Sequence, residues 1–260
     1  MPEIVSTYLV LATPRSGSTL LGQALNATNL AGDPREHFGH KMAFWANKWG
    51  TTTLAGFVDR LMRERSTDNG VFGAKLLYAH LLHLERMART EPGFAELPLP
   101  AILAELFPDL HYVRITRRDK VRQAISYWKA KETGVWGRDR PRQGRSAQGR
   151  RLAVKGSRRT GKEAAFDYAG IDALLGTILD EEAGIERFFR DAAIAPIHVV
   201  YEEFVERYEE TTRELLRFLG IEPPSDLDLG QPRTVKLADD KTEAWVARFE
   251  EMRAEAERLG

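Results

Sequence analysis

The sequence predicts an α/β fold in which a mainly parallel central sheet is flanked by helices. Four short apolar runs, rich in residues that favour strands, are separated by segments whose apolar side chains have helical spacing. Strands that alternate with helices in this way are typical of a parallel sheet. The fractions of hydrophobic (43%) and charged (29%) residues are ordinary for a globular protein.

The first strand and the turn after it open the pattern. Thr7–Ala12 is a short apolar run that ends at Thr13-Pro14, and Gly17 marks a tight turn. Ser18–Ala27 follows with leucine and alanine at helical spacing. We therefore expect a strand, a turn rich in serine and glycine, and a helix.

The remaining elements continue the alternation. Further strands are expected at Val71–Leu77, His111–Thr116 and Ile197–Tyr201. Helices are expected at Leu54–Met62, Tyr78–Arg89, Ala101–Phe107, Asp119–Lys131, Glu163–Arg190, Glu202–Leu219 and Lys241–Arg258. Because no internal repeat and no clear boundary interrupts the pattern, residues 1–260 are expected to form a single domain.

Composition excludes several functional classes. Lys plus Arg (38) equals Asp plus Glu (38), which disfavours nucleic acid as a partner bound through overall basicity. The absence of cysteine excludes disulfides, thiolate metal sites, iron–sulfur clusters and cysteine nucleophiles. No apolar run is long enough to predict a transmembrane segment, and no leader pattern precedes the first strand, so a cytoplasmic location is expected.

Residues 138–162 depart from the average composition. The segment carries ten Lys or Arg residues, one acidic residue (Asp139) and four glycines. We expect a mobile basic surface loop. The alternative is a flap over an anionic ligand or a patch that meets an anionic surface. Stacking on nucleic-acid bases is disfavoured because the segment contains no aromatic residue.

The turn between the first strand and the first helix predicts an anion site. It comprises Arg15, Ser16, Gly17, Ser18 and Thr19. The first turn of a helix leaves N–H groups without intrahelical partners, and the helix dipole adds positive potential there. The glycine allows close approach of the backbone, and the arginine adds a fixed positive charge. The alternative is an ordinary helix start with Ser16 or Ser18 as its N-cap.

The turn lacks the nucleotide-binding pattern of common ATPases and kinases. Gly-x-x-x-x-Gly-Lys-Ser/Thr is absent, and no acidic strand end suggests a magnesium site. A small-molecule kinase is therefore the weaker alternative.

A second group of candidate anion ligands follows the strand His111–Thr116. Arg117 and Arg118 come directly after the strand, and Ser126 lies about two turns along the next predicted helix. Basic side chains at a strand end can hold a phosphate, and the serine can point back toward the same place. The alternative is that both arginines are solvated and Ser126 packs within the helix.

These motifs resemble the Stf0-type family of bacterial carbohydrate sulfotransferases, which use 3′-phosphoadenosine 5′-phosphosulfate (PAPS). The matching pieces, in order, are YLVLATPRSGSTLL, GDPREHF, GAKLLY, RRDKVRQAISYW, VWG, HVVYEEF and LADDKTEAWVARF. The resemblance covers most of the chain. It implies a P-loop NTPase-like sulfotransferase fold, a homodimer, and a reaction that needs no metal.

The resemblance also implies the donor site. Residues 15–19 would bind the 5′-phosphosulfate of PAPS, with Arg15 also in a catalytic role. Arg117, which we rank ahead of Arg118, would hold the 3′-phosphate together with Ser126. Tyr201 matches a family element near the adenine. Two anion sites at two strand ends suit one adenosine that carries phosphates at both ends, which leaves as adenosine 3′,5′-bisphosphate.

Glu36 is the expected general base, because the family has its catalytic glutamate at this place. A carboxylate near the acceptor hydroxyl can take its proton as the new bond forms. His37 is the rival base, and it departs from the aromatic residue usual in the family. His37, Lys75 and Trp136 are expected to bind substrate, although Lys75 could equally be an ordinary surface lysine.

The expected reaction moves a sulfuryl group from PAPS to a hydroxyl of a carbohydrate or glycolipid, for which a trehalose-like disaccharide is plausible. Displacement in line at sulfur would depend mainly on positioning and fixed hydrogen-bond donors. The alternatives are a P-loop small-molecule kinase and a non-catalytic module that binds nucleotide or sulfated glycan.

Overall fold

The computed structural model describes residues 3–136, 163–230 and 240–259. Its contacts divide the chain into two compact units. The first comprises Met1–Arg118 and Asp180–Gly230, and the second comprises Asp119–Leu179 and Gln231–Gly260. The single domain expected from the sequence stays a prediction, as does the nature of residues 138–162, which lie outside the described residues.

The first unit contains a four-stranded parallel sheet, which confirms the expected α/β fold. Its strands are β1 (Ser6–Ala12), β2 (Val71–Leu77), β3 (Leu110–Thr116) and β4 (Ile197–Val200). The strand order is β2-β1-β3-β4, and every adjacent pair is parallel. β1 has neighbours on both sides and is buried along its whole length, as its continuous apolar sequence predicts.

The described residues form ten helices. They are α1 (Ser18–Ala27), α2 (Met42–Trp49), α3 (Leu54–Arg65), α4 (Tyr78–Ala88), α5 (Leu99–Leu106), α6 (Lys120–Thr133), α7 (Tyr168–Asp191), α8 (Tyr201–Glu206), α9 (Tyr208–Phe218) and α10 (Asp240–Leu259). Each predicted helix is present, but some of the predicted limits are wrong.

Three details differ from the sequence prediction. Residues 163–167 lie outside any helix, so the long helix starts only at Tyr168. The helix expected over Glu202–Leu219 is two helices, because Arg207 adopts non-helical angles (φ −113°, ψ 42°) between α8 and α9. Tyr201, expected to end the fourth strand, is the first residue of α8.

The sheet has a packed apolar core on each face. Side chains alternate along β1, so Leu9 and Leu11 join one core whereas Tyr8 and Val10 join the other. The first core is completed by α3, α4, α5 and the end of α7, and the second by α1 and α9. Both faces are therefore covered, as a parallel sheet requires.

The second unit is built from α6, α10 and the first part of α7. Ile125, Ile171, Ile178 and Phe249 belong to its core. In the described part of the chain, no helix is long and apolar enough to span a membrane.

Candidate active site

The turn from β1 to α1 has the backbone of an anion-binding loop. Arg15 (φ 63°) and Gly17 (φ 95°) both adopt left-handed angles. Gly17 is the N-cap of α1, so neither serine caps the helix through its side chain and that alternative is wrong. The first helical hydrogen bond runs from the Leu21 N–H to the Gly17 carbonyl (3.1 Å). The N–H groups of the first turn are therefore left for another acceptor.

The Ser16 side chain is a second group at this turn that lacks a hydrogen-bond partner among the described residues. The residue is fully buried, and its Oγ has no hydrogen-bond partner among the residues that the structure describes. A buried hydroxyl without a partner is costly, because it has lost its water and gained nothing in exchange. A bound oxyanion at the turn would relieve that cost.

Tyr201 closes one side of this turn. A Cβ placed on Gly17 would lie 2.3 Å from Cδ2 of Tyr201, so the ring packs directly on the glycine backbone. The guanidinium of Arg117 lies over the same ring, 5.1 Å from its centroid. The turn after β1 and the end of β3 thus meet at one aromatic side chain.

Arg15 and Arg117 place two positive charges near each other. Burial, and next the positive charge of Arg117, lower the pKa of Arg15, while the phenol of Tyr201 opposes this effect. Like charges this close favour an anion between or beside them. Arg117 also pairs with Glu202, with Nε and Oε1 3.9 Å apart.

Arg118 is placed differently from Arg117. Its side chain is 64% exposed and pairs with Glu203, and its backbone N–H donates to Oε2 of Glu202 (3.1 Å). The side chain of Arg117 is only 11% exposed. Arg117 is therefore the more buried of the two arginines, and its role as the anion ligand stays a prediction.

Lys75 joins Glu36 to the anion-binding turn. Its Nζ lies 2.8 Å from Oε1 of Glu36 and donates to Oγ1 of Thr19 at 3.0 Å. Its side chain is 7% exposed, so the surface-lysine alternative is wrong. The Lys75 backbone N–H donates to the Arg35 carbonyl (2.9 Å), and this bond lays the segment containing Glu36 along β2.

Glu36 is ionised at neutral pH. Burial alone would raise the pKa of its carboxyl, but the charge and hydrogen bond of Lys75, together with His80 and His40, hold that pKa below its ordinary value. The carboxylate is 41% exposed, so a substrate can reach it. One ammonium group thus links an accessible carboxylate to the turn at the start of α1.

His37 directly follows Glu36 but contacts other groups. Its Nε2 donates to the Asp33 carbonyl (2.9 Å), and its ring lies 6.2 Å from that of Phe72. Burial lowers the pKa of His37 to about 4. The bond to the Asp33 carbonyl opposes this effect only in part, so the buried imidazole is a weak base.

The second unit holds two further predicted residues. Ser126 is the seventh residue of α6, about two turns from its start, as expected. Trp136 is 51% exposed, and its ring lies 5.9 Å from that of Tyr127. Their contacts with nucleotide or acceptor stay predictions.

Sequence reasoning missed the histidines around Glu36. His40 and His80 both act electrostatically on its carboxylate, and His80 also interacts with Lys75. No spacing rule links these positions, since the fold alone brings the start of α4 beside residues 36–40.

Comparisons with known proteins identify a family and two relatives. The model of the Stf0 sulphotransferase family matches residues 7–252. Two trehalose 2-sulfotransferases, from Mycobacterium tuberculosis (strain Erdman) and Mycolicibacterium smegmatis, are each 28% identical over 286 aligned positions, which cover 100% of this chain and 99% of each relative.

Two solved structures are also similar. The sulfotransferase domain of the Synechococcus PCC 7002 olefin synthase has a TM-score of 0.39, 14% identity and 96% coverage of both chains. The sulfotransferase domain of the curacin biosynthetic pathway has a TM-score of 0.45 and 14% identity, over 93% of this chain and 82% of that one.

Proposed function

The chain belongs to the Stf0 sulfotransferase family, and from this premise we propose that it moves a sulfuryl group from PAPS to a hydroxyl of a carbohydrate or glycolipid. The observation that carries the proposal is the link from Glu36 through Lys75 to Thr19. It brings an accessible carboxylate to the edge of an anion-binding turn, which is where a transferred anionic group and its acceptor must meet.

The donor site fits an adenosine that carries phosphates at both ends. The backbone N–H groups of the α1 start, the Ser16 hydroxyl and Arg15 bind the 5′-phosphosulfate. Arg117 holds the 3′-phosphate, helped by Ser126, with Arg118 as the alternative. This assignment is supported by the Ser16 Oγ, which has no partner among the described residues, and by the like charges of Arg15 and Arg117, which interact. Tyr201, whose ring packs on Gly17 and under the guanidinium of Arg117, borders the nucleoside.

Catalysis follows from positioning and charge. The acceptor oxygen attacks sulfur as the bond from sulfur to the phosphate oxygen breaks, and Glu36 takes the hydroxyl proton. Arg15 and the N–H groups of the turn stabilise the charge that develops on the departing adenosine 3′,5′-bisphosphate. Lys75 offsets the charge of the sulfuryl oxygens while keeping Glu36 ionised before the attack.

A trehalose-like disaccharide is the first acceptor to test, because both curated relatives are trehalose 2-sulfotransferases. His37 and Trp136 are the predicted acceptor contacts. A homodimer, which the family resemblance implies, is a further part of the proposal, as is the cytoplasmic location expected from the sequence.

The test is an acceptor screen with radiolabelled PAPS, read by mass spectrometry. Labelled sulfate on a carbohydrate, together with loss of transfer but retained nucleotide binding in Glu36→Gln, is the expected result. Transfer retained by Glu36→Gln would move the base elsewhere. Magnesium-dependent ATP turnover without sulfate transfer would indicate a kinase, and binding without transfer would indicate a non-catalytic module.

A further inference from the structure

His80 is a titratable side chain at the proposed base that the catalytic scheme does not use. It is the third residue of α4, which begins directly after β2, the strand of Lys75. A Cβ placed on Gly39 would lie 3.2 Å from Nε2 of His80 and 3.7 Å from the Glu36 carbonyl oxygen. The imidazole therefore packs on the short backbone segment that follows Glu36.

The surroundings of His80 favour its neutral form. Its Nδ1 is buried and has no hydrogen-bond partner within the described part of the chain. A protonated imidazole has two N–H donors, and one of them would be left there without an acceptor. The first turn of a helix also opposes positive charge.

The charges that face the imidazole come from three elements. Glu36 and His40 lie in the segment before α2, Lys75 lies on β2, and His83 lies on α4 itself. Burial lowers the pKa of His80, and Lys75, His83 and His40 add to that effect, whereas the Glu36 carboxylate raises the pKa. His80 and Glu36 are thus electrostatically coupled.

We propose that His80 is a positioning residue that supports the Glu36 turn and, by staying neutral, keeps Glu36 basic enough to take the acceptor proton. When His80 becomes protonated, its positive charge stabilises the Glu36 carboxylate and makes it a weaker base. Sulfuryl transfer then slows as the solution becomes more acidic. The inference rests on the proposed function, because it assumes that Glu36 is the base.

The first experiment is the pH profile of kcat from pH 4.5 to 8, with folding checked by circular dichroism at each pH. Wild-type kcat should fall toward acid. His80→Gln, which is neutral throughout, should flatten that fall, whereas His83→Gln, an exposed neighbour on the same helix, should keep it. A wild-type rate that does not fall, or an unchanged fall in His80→Gln, overturns the proposal.

The complementary variant places a permanent positive charge at position 80, in contrast to the neutral His80→Gln. His80→Lys should lower kcat about tenfold relative to wild type at pH 8, where His80 is neutral, and the difference should shrink toward acid, because a unit charge near the carboxylate weakens it as a base. Its affinity for adenosine 3′,5′-bisphosphate should equal that of wild type. A wild-type rate in a folded His80→Lys protein contradicts the proposal.

NMR titration of the histidine imidazoles gives a readout that does not depend on activity or on the stability of His80 variants. The His80 midpoint in wild type should coincide with the fall of kcat, and Glu36→Gln should move it to lower pH. A midpoint that differs from the kinetic fall, or that ignores Glu36→Gln, overturns the inference. If Glu36→Gln abolishes transfer but His80→Gln leaves the profile unchanged, only this inference fails; if Glu36→Gln retains transfer, the proposed base fails as well.

Discussion

The ring of Tyr201 occupies the space that any side chain at Gly17 would need. A Cβ on Gly17 would lie 2.3 Å from Cδ2 of Tyr201, and the glycine also has a φ of 95°. The turn after β1 therefore depends on glycine for two separate reasons, one steric and one conformational. Tyr201 in turn carries Arg117 on its ring, so a change at Gly17 would be felt at both proposed phosphate ligands.

Gly17→Ala should therefore destabilise the fold by on the order of 2–4 kcal/mol, the sum of backbone strain and overpacking. Binding of adenosine 3′,5′-bisphosphate should weaken as well. Urea unfolding and isothermal titration measure the two effects. Gly220→Ala is the matched control, because Gly220 has a φ of 72° but a Cβ placed on it would have no described atom within 4 Å. Equal losses of stability in the two variants would show that the Tyr201 contact adds nothing.

Lys75→Met should lower activity far more than stability. Met keeps the volume of the lysine but leaves Glu36 without its partner; because that carboxylate is 41% exposed and can be hydrated, we expect a loss of about 1–3 kcal/mol. Transfer should fall about 100-fold, because the charge beside Glu36 and the bond to Thr19 are both lost. Steady-state kinetics and urea unfolding measure these quantities.

Lys48→Met provides the control for Lys75→Met. Lys48 lies on α2, where its Nζ is 4.8 Å from the ring centroid of Trp45, so it is a lysine outside the proposed site. This variant should keep wild-type transfer. Transfer within twofold of wild type in Lys75→Met would exclude Lys75 from catalysis.

The sequence predicts the strands and the anion-binding turn because both are local. The runs that form β1 to β4 are short and rich in residues that favour strands, and a turn between a strand and a helix leaves N–H groups to bind an anion whatever surrounds it. Family resemblance alone predicts that the segment containing Glu36 lies beside this turn. In the structure the buried Lys75 links the two, and it is in place because β2 pairs with β1.

The errors also have physical causes. Arg207 interrupts a segment whose periodicity is helical throughout, and its side chain pairs with Glu210 and Glu214 of α9. The helix α2 was missed because its sequence, MAFWANKW, has apolar residues on several sides, and only Met42 of its eight residues is buried. His80 and Gly39 are in contact although they lie far apart in the sequence, so no spacing pattern could predict this contact.

His37 should make the protein sensitive to acid. Its folded-state pKa is about 4, whereas that of an unfolded histidine is about 6.5. Between these values the unfolded chain binds a proton that the folded chain does not, so stability falls as the pH falls through this window. The loss from this residue is on the order of 2–3 kcal/mol between pH 6.5 and 4.

His37→Phe should remove this part of the loss. Asp33, Arg65 and Arg35, which act on His37, remain in the variant. Urea midpoints at pH 7.5 and pH 5 measure the effect, and the difference between them should be smaller in the variant. His37→Gln cannot titrate but can still donate to the Asp33 carbonyl, so it should behave in the same way. A difference as large as that of wild type in both variants would place the acid sensitivity elsewhere.

Arg117 and Arg118 can be distinguished by their effect on nucleotide affinity. The side chain of Arg117 is 11% exposed and lies over Tyr201, whereas that of Arg118 is 64% exposed and already pairs with Glu203. Removing a buried charged ligand of a phosphate costs about 2–3 kcal/mol, so Arg117→Ala should weaken binding of adenosine 3′,5′-bisphosphate about 30- to 150-fold.

Arg118→Ala should change that affinity by less than about threefold, because exposed ion pairs contribute little. Binding of AMP, which lacks the 3′-phosphate, supplies the internal control in isothermal titration. Arg117→Ala should affect AMP far less than the bisphosphate, since only the 3′-phosphate contact is lost. The reverse pattern, a large loss in Arg118→Ala with Arg117→Ala unaffected, would assign the 3′-phosphate to Arg118, and an equal loss for both nucleotides would place Arg117 at the 5′-phosphate instead.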